Sequence, residues 1–306
     1  MSNYTAALKV ESTAPERHHS PSVKAGPLSV QPLAQENKEE VLAFLAERPL
    51  YTVIMAGWIR DNGIISPLNR GTFYGCRDHE GSLQGVALIG HATLFDARSY
   101  AALVAFAKFA KGCTNAHMLL GEKEQVAMFW EHYSDGGQSP SRICRELLFE
   151  QRWPVGVLDE VKGMRLATPC DLELVIPVQA EMAYEESGVN PLEKDPEGFR
   201  LRCARRIEQG RTWVWVEEGR LIFKAEVVSD TPELTYLEGV WVSPEERGQG
   251  FALRCMSQLV RTLLNQAPSV SILVNEQNHN ALQLYRRAGF KQLDCFDTIF
   301  LNQERA

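Results

Sequence analysis

The run Gly239–Leu253, GVWVSPEERGQGFAL, places the tightest constraint on how this chain can fold. Val240, Trp241 and Val242 form a β-branched and aromatic patch that reads as strand, and Pro244 closes it. Arg247, Gly248 and Gly250 follow. A helix is then predicted from Phe251 to Leu264, because Ala252, Cys255, Met256, Leu259, Val260 and Leu263 recur at amphipathic spacing. A strand entering a helix through glycines aims several unpaired backbone N–H groups at one point. With the helix dipole behind them, they favour an anion by about 0.3–1 kcal/mol per charge at an exposed site. Glycine lets the backbone close on a pyrophosphate, and Arg247 adds a permanent positive charge.

Such an anion has to be held locally, since the chain has a formal net charge of −7. That balance excludes a global basic footprint for nucleic acid or an anionic membrane. With 306 residues, 44% of them hydrophobic and 23% charged, the chain suits two compact domains with substantial cores. Its seven cysteines lie far apart with no CxxC pair, which argues against a disulfide framework or a zinc ribbon. No metal is expected. No run approaches the ~18 apolar residues of a spanning helix, and the amino terminus lacks an apolar secretion core. A reducing cytoplasm is the expected compartment.

Residues 1–32 are rich in Ser, Pro, Ala and charge and read as a flexible tail, with His18 and His19 as solvated side chains. From Asn37 the order is helices, antiparallel strands, helix, strand, helix and strand. Trp153 to Gly163 looks like a linker. The order then recurs: a short strand at Met164, helices at 171–186 and 198–208, three hairpin-connected strands at 212–216, 221–228 and 234–242, the helix from Phe251, a strand at 270–274, a helix at 278–288 and a last strand at 295–301. The expected division is a tail, 1–32, a first domain, 33–155, and a second, 160–306. The fold class is α/β with a mixed sheet.

Three phosphate-binding motifs compete for the glycine loop. A nucleoside-triphosphate loop requires GxxxxGK[ST], and no such lysine and hydroxyl follow. A dinucleotide fingerprint requires a third glycine or alanine where Leu253 stands, and parallel βαβ units where the pattern shows hairpins. The third is coenzyme A. Arg247-Gly248-Gln249-Gly250-Phe251-Ala252 matches [QR]xxGx[GA], and Asn278 to Phe290, NHNALQLYRRAGF, matches NxxAxxLYxxxGF. On these two motifs, at proper separation within a matching order of elements, residues from about 160 to 306 resemble the GNAT acetyltransferase superfamily. The first half resembles the same fold by element order alone. Its candidate loop, between Gly90-His91 and Ala97, lacks the glycine motif. The resemblance implies two acyl-CoA N-acyltransferase folds in tandem, the first degenerate and serving as a packing or substrate-shaping partner.

The resemblance also implies roles. The strand edge of Val240, Trp241 and Val242 would follow the pantetheine arm of acetyl-CoA. The amides from Arg247 to Ala252 would hold its pyrophosphate, and Asn278 and Ala281 would belong to the later cofactor-binding helix. Asn278 is equally natural as an N-cap. Tyr285 falls where the family places a tyrosine beside the coenzyme sulfur, as general acid. A phenol near ~10 stays protonated at neutral pH and suits a thiolate leaving group near ~8.5. A lysine-like amine near ~10.4 costs about 4.6 kcal/mol to neutralise at pH 7, so a base is useful. Strand alternation puts Glu238 on one face with Val240 and Val242, making it the leading base, with Glu226 second. Glu245 and Glu246 read as solvated loop residues. Glu181, Glu185 and Glu186 read as a solvated helix face or as an acidic wall beside a cationic acceptor. The expected activity is transfer of an acetyl group to a primary amine by direct attack. A non-catalytic acetyl-CoA sensor, and a relative that moves another acyl or aminoacyl group, stay open at this point, as does the identity of the amine.

Overall fold

Two strands from distant parts of the sequence, Pro140–Gln151 and Lys291–Leu301, lie side by side at the centre of the molecule. The computed structural model describes residues 28–136, 138–153, 155–156 and 158–302. Its first half contains strands Ser29–Pro32 (β1), Gly71–Arg77 (β2), Leu83–Gly90 (β3), Ala92–Ala97 (β4), Met118–Glu122 (β5) and Pro140–Gln151 (β6). Helices Lys38–Ala46 (α1), Pro49–Asn62 (α2), Tyr100–Ala110 (α3) and Lys123–Tyr133 (α4) accompany them. The second half opens with Met164–Leu166 (β7), Leu172–Ser187 (α5), Pro191–Lys194 (α6) and Pro196–Glu208 (α7). Strands Thr212–Glu217 (β8), Arg220–Asp230 (β9) and Thr235–Val242 (β10) follow, then Phe251–Leu263 (α8), Val270–Asn275 (β11), His279–Arg287 (α9) and Lys291–Leu301 (β12).

All these strands join one mixed sheet in the order β1-β2-β3-β4-β5-β12-β6-β11-β10-β9-β8-β7. The final strands of the two halves are exchanged. β6 pairs with β11 from Val270↔Gln151 to Asn275↔Glu146, and β12 pairs with β5 from Phe296↔Glu122 to Phe300↔Met118. β6 and β12 then pair with each other along nearly their whole length. Each half thus supplies a strand that the other needs to bury its backbone hydrogen bonds.

Helices cover both faces. On one face, α8 and α9 pack Cys255, Met256, Leu259 and Leu282 onto Phe149, Phe223, Leu237 and Ile272. α3 and α4 pack on Phe95, Leu119 and Ile299. On the other, α1 and α2 cover Phe73, Val86 and Leu88, while α5 and α7 cover Val214 and Leu221. α2 reaches across the halves: Val53 packs with Val228, Leu234 and Tyr236, and its last turn receives hydrogen bonds from Arg205 to Asn62 at 2.7 Å and from Arg211 to Asp61 at 2.8 Å.

Three expectations are corrected. Ser29–Pro32, read as the end of a flexible tail, is an edge strand paired with β2 from Ser29↔Arg77 to Pro32↔Tyr74. Residues 1–27 of that tail, His18 and His19 among them, lie outside the described residues. The segment proposed as the first half's loop, from Gly90 to Ala97, is mostly β4, a strand paired on both sides. Pro49 occupies the first turn of α2, where its missing N–H has no partner to lose. Part of the presumed linker is packed: the Val161 N–H donates to Gln258 Oε1 at 2.8 Å, and Val161 is buried. Among the described residues, no helix is long and apolar enough to cross a membrane.

Candidate active site

β10 and β11 run parallel, but their pairing covers only Thr235↔Val270, Tyr236↔Ser271 and Leu237↔Ile272. Beyond it, β10 continues to Val242 beside β9, and β11 continues to Asn275 beside β6. The two strands part, leaving the β10 edge from Glu238 to Val242 facing a cleft. Because they are parallel, the helices that follow them, α8 and α9, both begin at the same open end. Open α/β sheets take their ligands at such a crevice beyond the carboxyl ends of the strands.

A bulge shapes this edge. β10 advances from Glu238 to Trp241 while β9 advances only from Glu226 to Lys224, so β10 carries one extra residue. Gly239 takes the strain with φ +62°. The extra residue reverses the alternation: Leu237, Val240 and Val242 pack toward α8 and α9, whereas Trp241 packs with Val175 and Val214 on the opposite face. Glu238, the cross-strand partner of Glu226, therefore does not share a face with Val240 and Val242 as simple alternation predicts. The Trp241 side chain is likewise turned away from the two valines.

At the end of β10, Gly248 and Gly250 adopt φ +79° and +84°, and a Cβ on either would meet nothing within 4 Å. Backbone hand, rather than crowding, requires glycine, and the space over the loop is open. α8 starts at Gly250 with no side-chain cap, so its first-turn N–H groups are left for an external acceptor. Arg247 Nε donates to the Val242 carbonyl at 3.0 Å, which fixes the guanidinium at the strand end. Gln249 turns back to donate to the Glu245 carbonyl at 3.2 Å. The Phe251 ring meets Trp215 edge-on at 5.2 Å, and Ala252 is half-buried beside it. This arrangement of open amides and a tethered cation fits a pyrophosphate. Glu245 is exposed and Glu246 is half-buried in the same loop.

α9 presents the second motif. Asn278 Oδ1 accepts the Ala281 N–H at 3.1 Å, an N-cap, and Ala281 packs on the core between α8 and α9. Tyr285 is 4% exposed, with its ring 5.7 Å from that of Phe290. Burial raises its pKa, which keeps the phenol protonated.

The face opposite α8 is charged. Lys224, fully buried, donates to Gln179 Oε1 at 2.5 Å and to the Gly239 carbonyl at 3.2 Å, and pairs with Glu226 at 3.1 Å. Arg206 holds the other Glu226 oxygen at 2.5 Å. Although burial acts the other way, Lys224 and Arg206 hold the Glu226 carboxyl below its usual range. Glu226, the second candidate base, is thus engaged as a structural counter-ion. Glu238 is different. Its side chain stays accessible to solvent, yet the surrounding protein raises its pKa, with Arg206 and the Tyr236 hydroxyl partly offsetting the rise. An accessible group in a desolvating environment is one that faces a cleft.

Two further carboxylates converge on it. Glu146, from β6, accepts from Thr298 Oγ1 at 2.6 Å and is raised by burial and by the nearby Glu238 and Asp297. Glu186, in the last turn of α5, is pushed up to about 8 by burial and by Glu238 and Glu146. Like charges this close oppose one another's ionisation. Sequence reasoning grouped Glu186 with Glu181 and Glu185 and missed Glu146 altogether, because only the strand exchange brings β6 into the second half. Lys224 and Glu226, opposite charges two residues apart in an otherwise apolar strand, were the one visible signal of the network.

The first half treats the corresponding place differently. β4 and β5 are parallel over Ala92↔Met118 to Leu94↔Leu120, but only Arg98 and Ser99 separate β4 from α3. Ser99 caps α3 by accepting the Ala102 N–H at 3.2 Å. The Ala97 N–H donates to Gln125 at 3.1 Å, and Arg48 bridges Asp96 at 2.6 Å and Glu122 at 2.5 Å. Side chains fill this opening, and the helix start is already satisfied.

The sequence profile of the acetyltransferase (GNAT) family matches residues 179–290. The matched residues lie within the second half and include both the glycine loop and α9. Among solved structures, a Drosophila protein aligns at 12% identity and TM-score 0.64, covering 90% of this chain and 98% of its own. A GNAT-family acetyltransferase from Colwellia psychrerythraea aligns at 12% identity and TM-score 0.55, covering 90% and 100%. A tandem GNAT protein from the clavulanic acid biosynthesis pathway aligns at 16% identity and TM-score 0.56, covering 92% and 100%. These likenesses are of fold, and they extend over both halves: the chain has the tandem GNAT fold. Among curated proteins, no sequence match is found.

Proposed function

We propose that the chain is an acetyl-CoA-dependent N-acetyltransferase whose second half, residues 160–306, carries the reaction, while the first, 33–155, shapes the acceptor side. The observation that carries this reading is the parted β10–β11 pair. It has an uncapped glycine-rich helix start on one side and three accessible, mutually repelling carboxylates on the other. The amides from Arg247 to Ala252 would hold the pyrophosphate, and the free backbone edge from Glu238 to Val242 the pantetheine arm.

Acetyl-CoA supplies a thioester. Glu238 takes a proton from the acceptor ammonium, directly or through a water, and its raised pKa makes it the stronger base for that step. The neutral amine nitrogen forms a bond to the acetyl carbon as the C–S bond breaks, and the second proton that this nitrogen then sheds passes through solvent to restore the Tyr285 phenol. Tyr285, held protonated by burial, gives its proton to the departing thiolate. Glu146, Glu186 and Glu238 hold back one another's ionisation in the empty cleft, and a bound cation would favour their charged forms, which suits a cationic acceptor. A pure acetyl-CoA sensor has no use for such a cleft. The free cysteines suit a reducing compartment, the cytoplasm.

The test is thiol release from acetyl-CoA against a panel of amines. Amine-dependent release is expected, with Tyr285→Phe lowering kcat about 10²-fold or more and leaving the KM for acetyl-CoA nearly unchanged. Absence of release with every amine, alongside tight acetyl-CoA binding, would favour the sensor.

A further inference from the structure

α2 belongs to the first half by sequence, yet its middle lies on the second half's part of the sheet. Gly57 is buried at the contact, and a Cβ there would lie 2.5 Å from Ser229 Cβ of β9, closer than side chains tolerate. Helix and strand meet at a distance that admits only glycine. One turn earlier, Val53 packs with Tyr236, the cross-strand partner of Ser229 on β10. The last turn of α2 is tied down by Arg205 at Asn62 and by Arg211 at Asp61. Tyr236 is 2% exposed, so its ring has little freedom under this helix.

Tyr236 and Glu238 are two residues apart on β10, ahead of the glycine bulge, and both face away from Leu237 and α8. The Tyr236 hydroxyl donates to the Glu238 carboxylate. Burial, with Glu238 beside it, holds the Tyr236 pKa well above its ordinary value, so the phenol keeps its proton for this bond. Lys224 and Glu226 from β9, Arg206 from α7, Glu186 from α5 and Glu146 from β6 also face Glu238. Lys224 donates to Gln179 and to the Gly239 carbonyl, and Arg206 donates to Glu226. Both cations therefore act on Glu238 through space, while the neighbouring carboxylates oppose its ionisation.

We propose that Tyr236 is a positioning residue for the Glu238 base, held in place by α2, so that the first half acts on the reaction through the contact Val53–Tyr236–Glu238. The role of Glu238 as base rests on the transferase reading; the hold of α2 on the Tyr236–Glu238 pair does not. One donor aimed at one carboxylate oxygen leaves the other oxygen for the acceptor ammonium. It also restrains a side chain that would otherwise turn freely in an accessible cleft. The two halves thus reach the same carboxyl by separate routes. β6 brings Glu146, which opposes ionisation of Glu238, and α2 fixes the donor that favours it.

The experiment follows the Glu238 carboxyl by NMR in the full chain with isotopically labelled glutamate, the resonance being assigned by its loss in Glu238→Gln. Because the hydrogen bond favours the charged form, Tyr236→Phe should raise the Glu238 titration midpoint by about one pH unit. An unchanged or lowered midpoint overturns the proposal. The hold of α2 is read from a double-mutant cycle, in which a Val53→Ala background should shrink the Tyr236→Phe step to about half or less. A step of equal size in both backgrounds overturns the part given to α2. If Val53→Ala is unfolded by circular dichroism, Leu50→Ala, at the edge of the same apolar cluster, takes its place with the same two outcomes. A kinetic arm measures kcat/KM against pH. In Tyr236→Phe the acid limb should move up with the NMR midpoint. Activity lowered equally at every pH, with the limb in place, would make Tyr236 merely structural and overturns its positioning role. Failure of every amine to react counts against the transferase reading alone, because the NMR titration needs no turnover.

Discussion

Glu186 has the clearest electrostatic signature at the site. Its carboxyl is raised from 4.5 to about 8, so the folded state retains a proton that the unfolded chain releases from about pH 4.5 upward. The folded state binds more protons in that window, and stability contributed at this position therefore falls as pH rises from 4.5 to about 8. Glu186→Gln should match the parent in thermal denaturation near pH 4 and exceed its Tm above pH 8; an equal or lower Tm at high pH would remove Glu186 from the carboxylate cluster. Glu238 and Glu146 shift in the same direction, so each neutralised member also lowers the pKa of the other two. At this scale the sequence was partly legible. Arg247, Gly248, Gly250, Asn278 and Tyr285 could be singled out because each sits in a short contiguous motif. Glu146 could not, since it is more than ninety residues from Glu238 in sequence and belongs to the other half of the chain.

β10 shows how one residue redirects an element. Strand alternation assigns Glu238 to the face of Val240 and Val242, and the glycine bulge overturns that assignment. A lone glycine in a strand hints at a bulge, but its effect on facing depends on the partner strand's register, which the local sequence does not contain. Lys224 fastens the bulge: its ammonium donates to the Gly239 carbonyl, and a Cβ at Gly239 would lie 2.9 Å from Nζ. Lys224→Met should destabilise the protein by about 3–5 kcal/mol, because it leaves Glu226 short of a buried partner. It should also raise the KM for acetyl-CoA as the β10 edge relaxes. Urea denaturation and steady-state kinetics check both; an unchanged KM would mean that the bulge holds without its lysine. The α8 and α9 boundaries, in contrast, follow closely from apolar spacing, because both helices bury a narrow stripe and begin at recognisable caps or glycines.

For the whole molecule, the exchange of β6 and β12 matters most. The repeat of element order was readable, yet the partner of each final strand was not, since either strand offers a similar apolar run to β5 or β11. The exchange ties the halves into one sheet and makes β6 part of the candidate acceptor site. Calorimetry should therefore record a single unfolding transition with calorimetric and van't Hoff enthalpies in agreement; two separate transitions would mean that the halves are independent. The asymmetry between the two parallel strand pairs leads to the central claim, that only the second half holds cofactor. In the first, Ser99 caps the helix and Arg48, Asp96, Glu122 and Gln125 fill the opening. Isothermal titration with acetyl-CoA tests this most directly. One site per chain is predicted, weakened at least about tenfold by Arg247→Glu through lost charge pairing with the pyrophosphate. Two sites per chain, or unchanged affinity in Arg247→Glu, would contradict it.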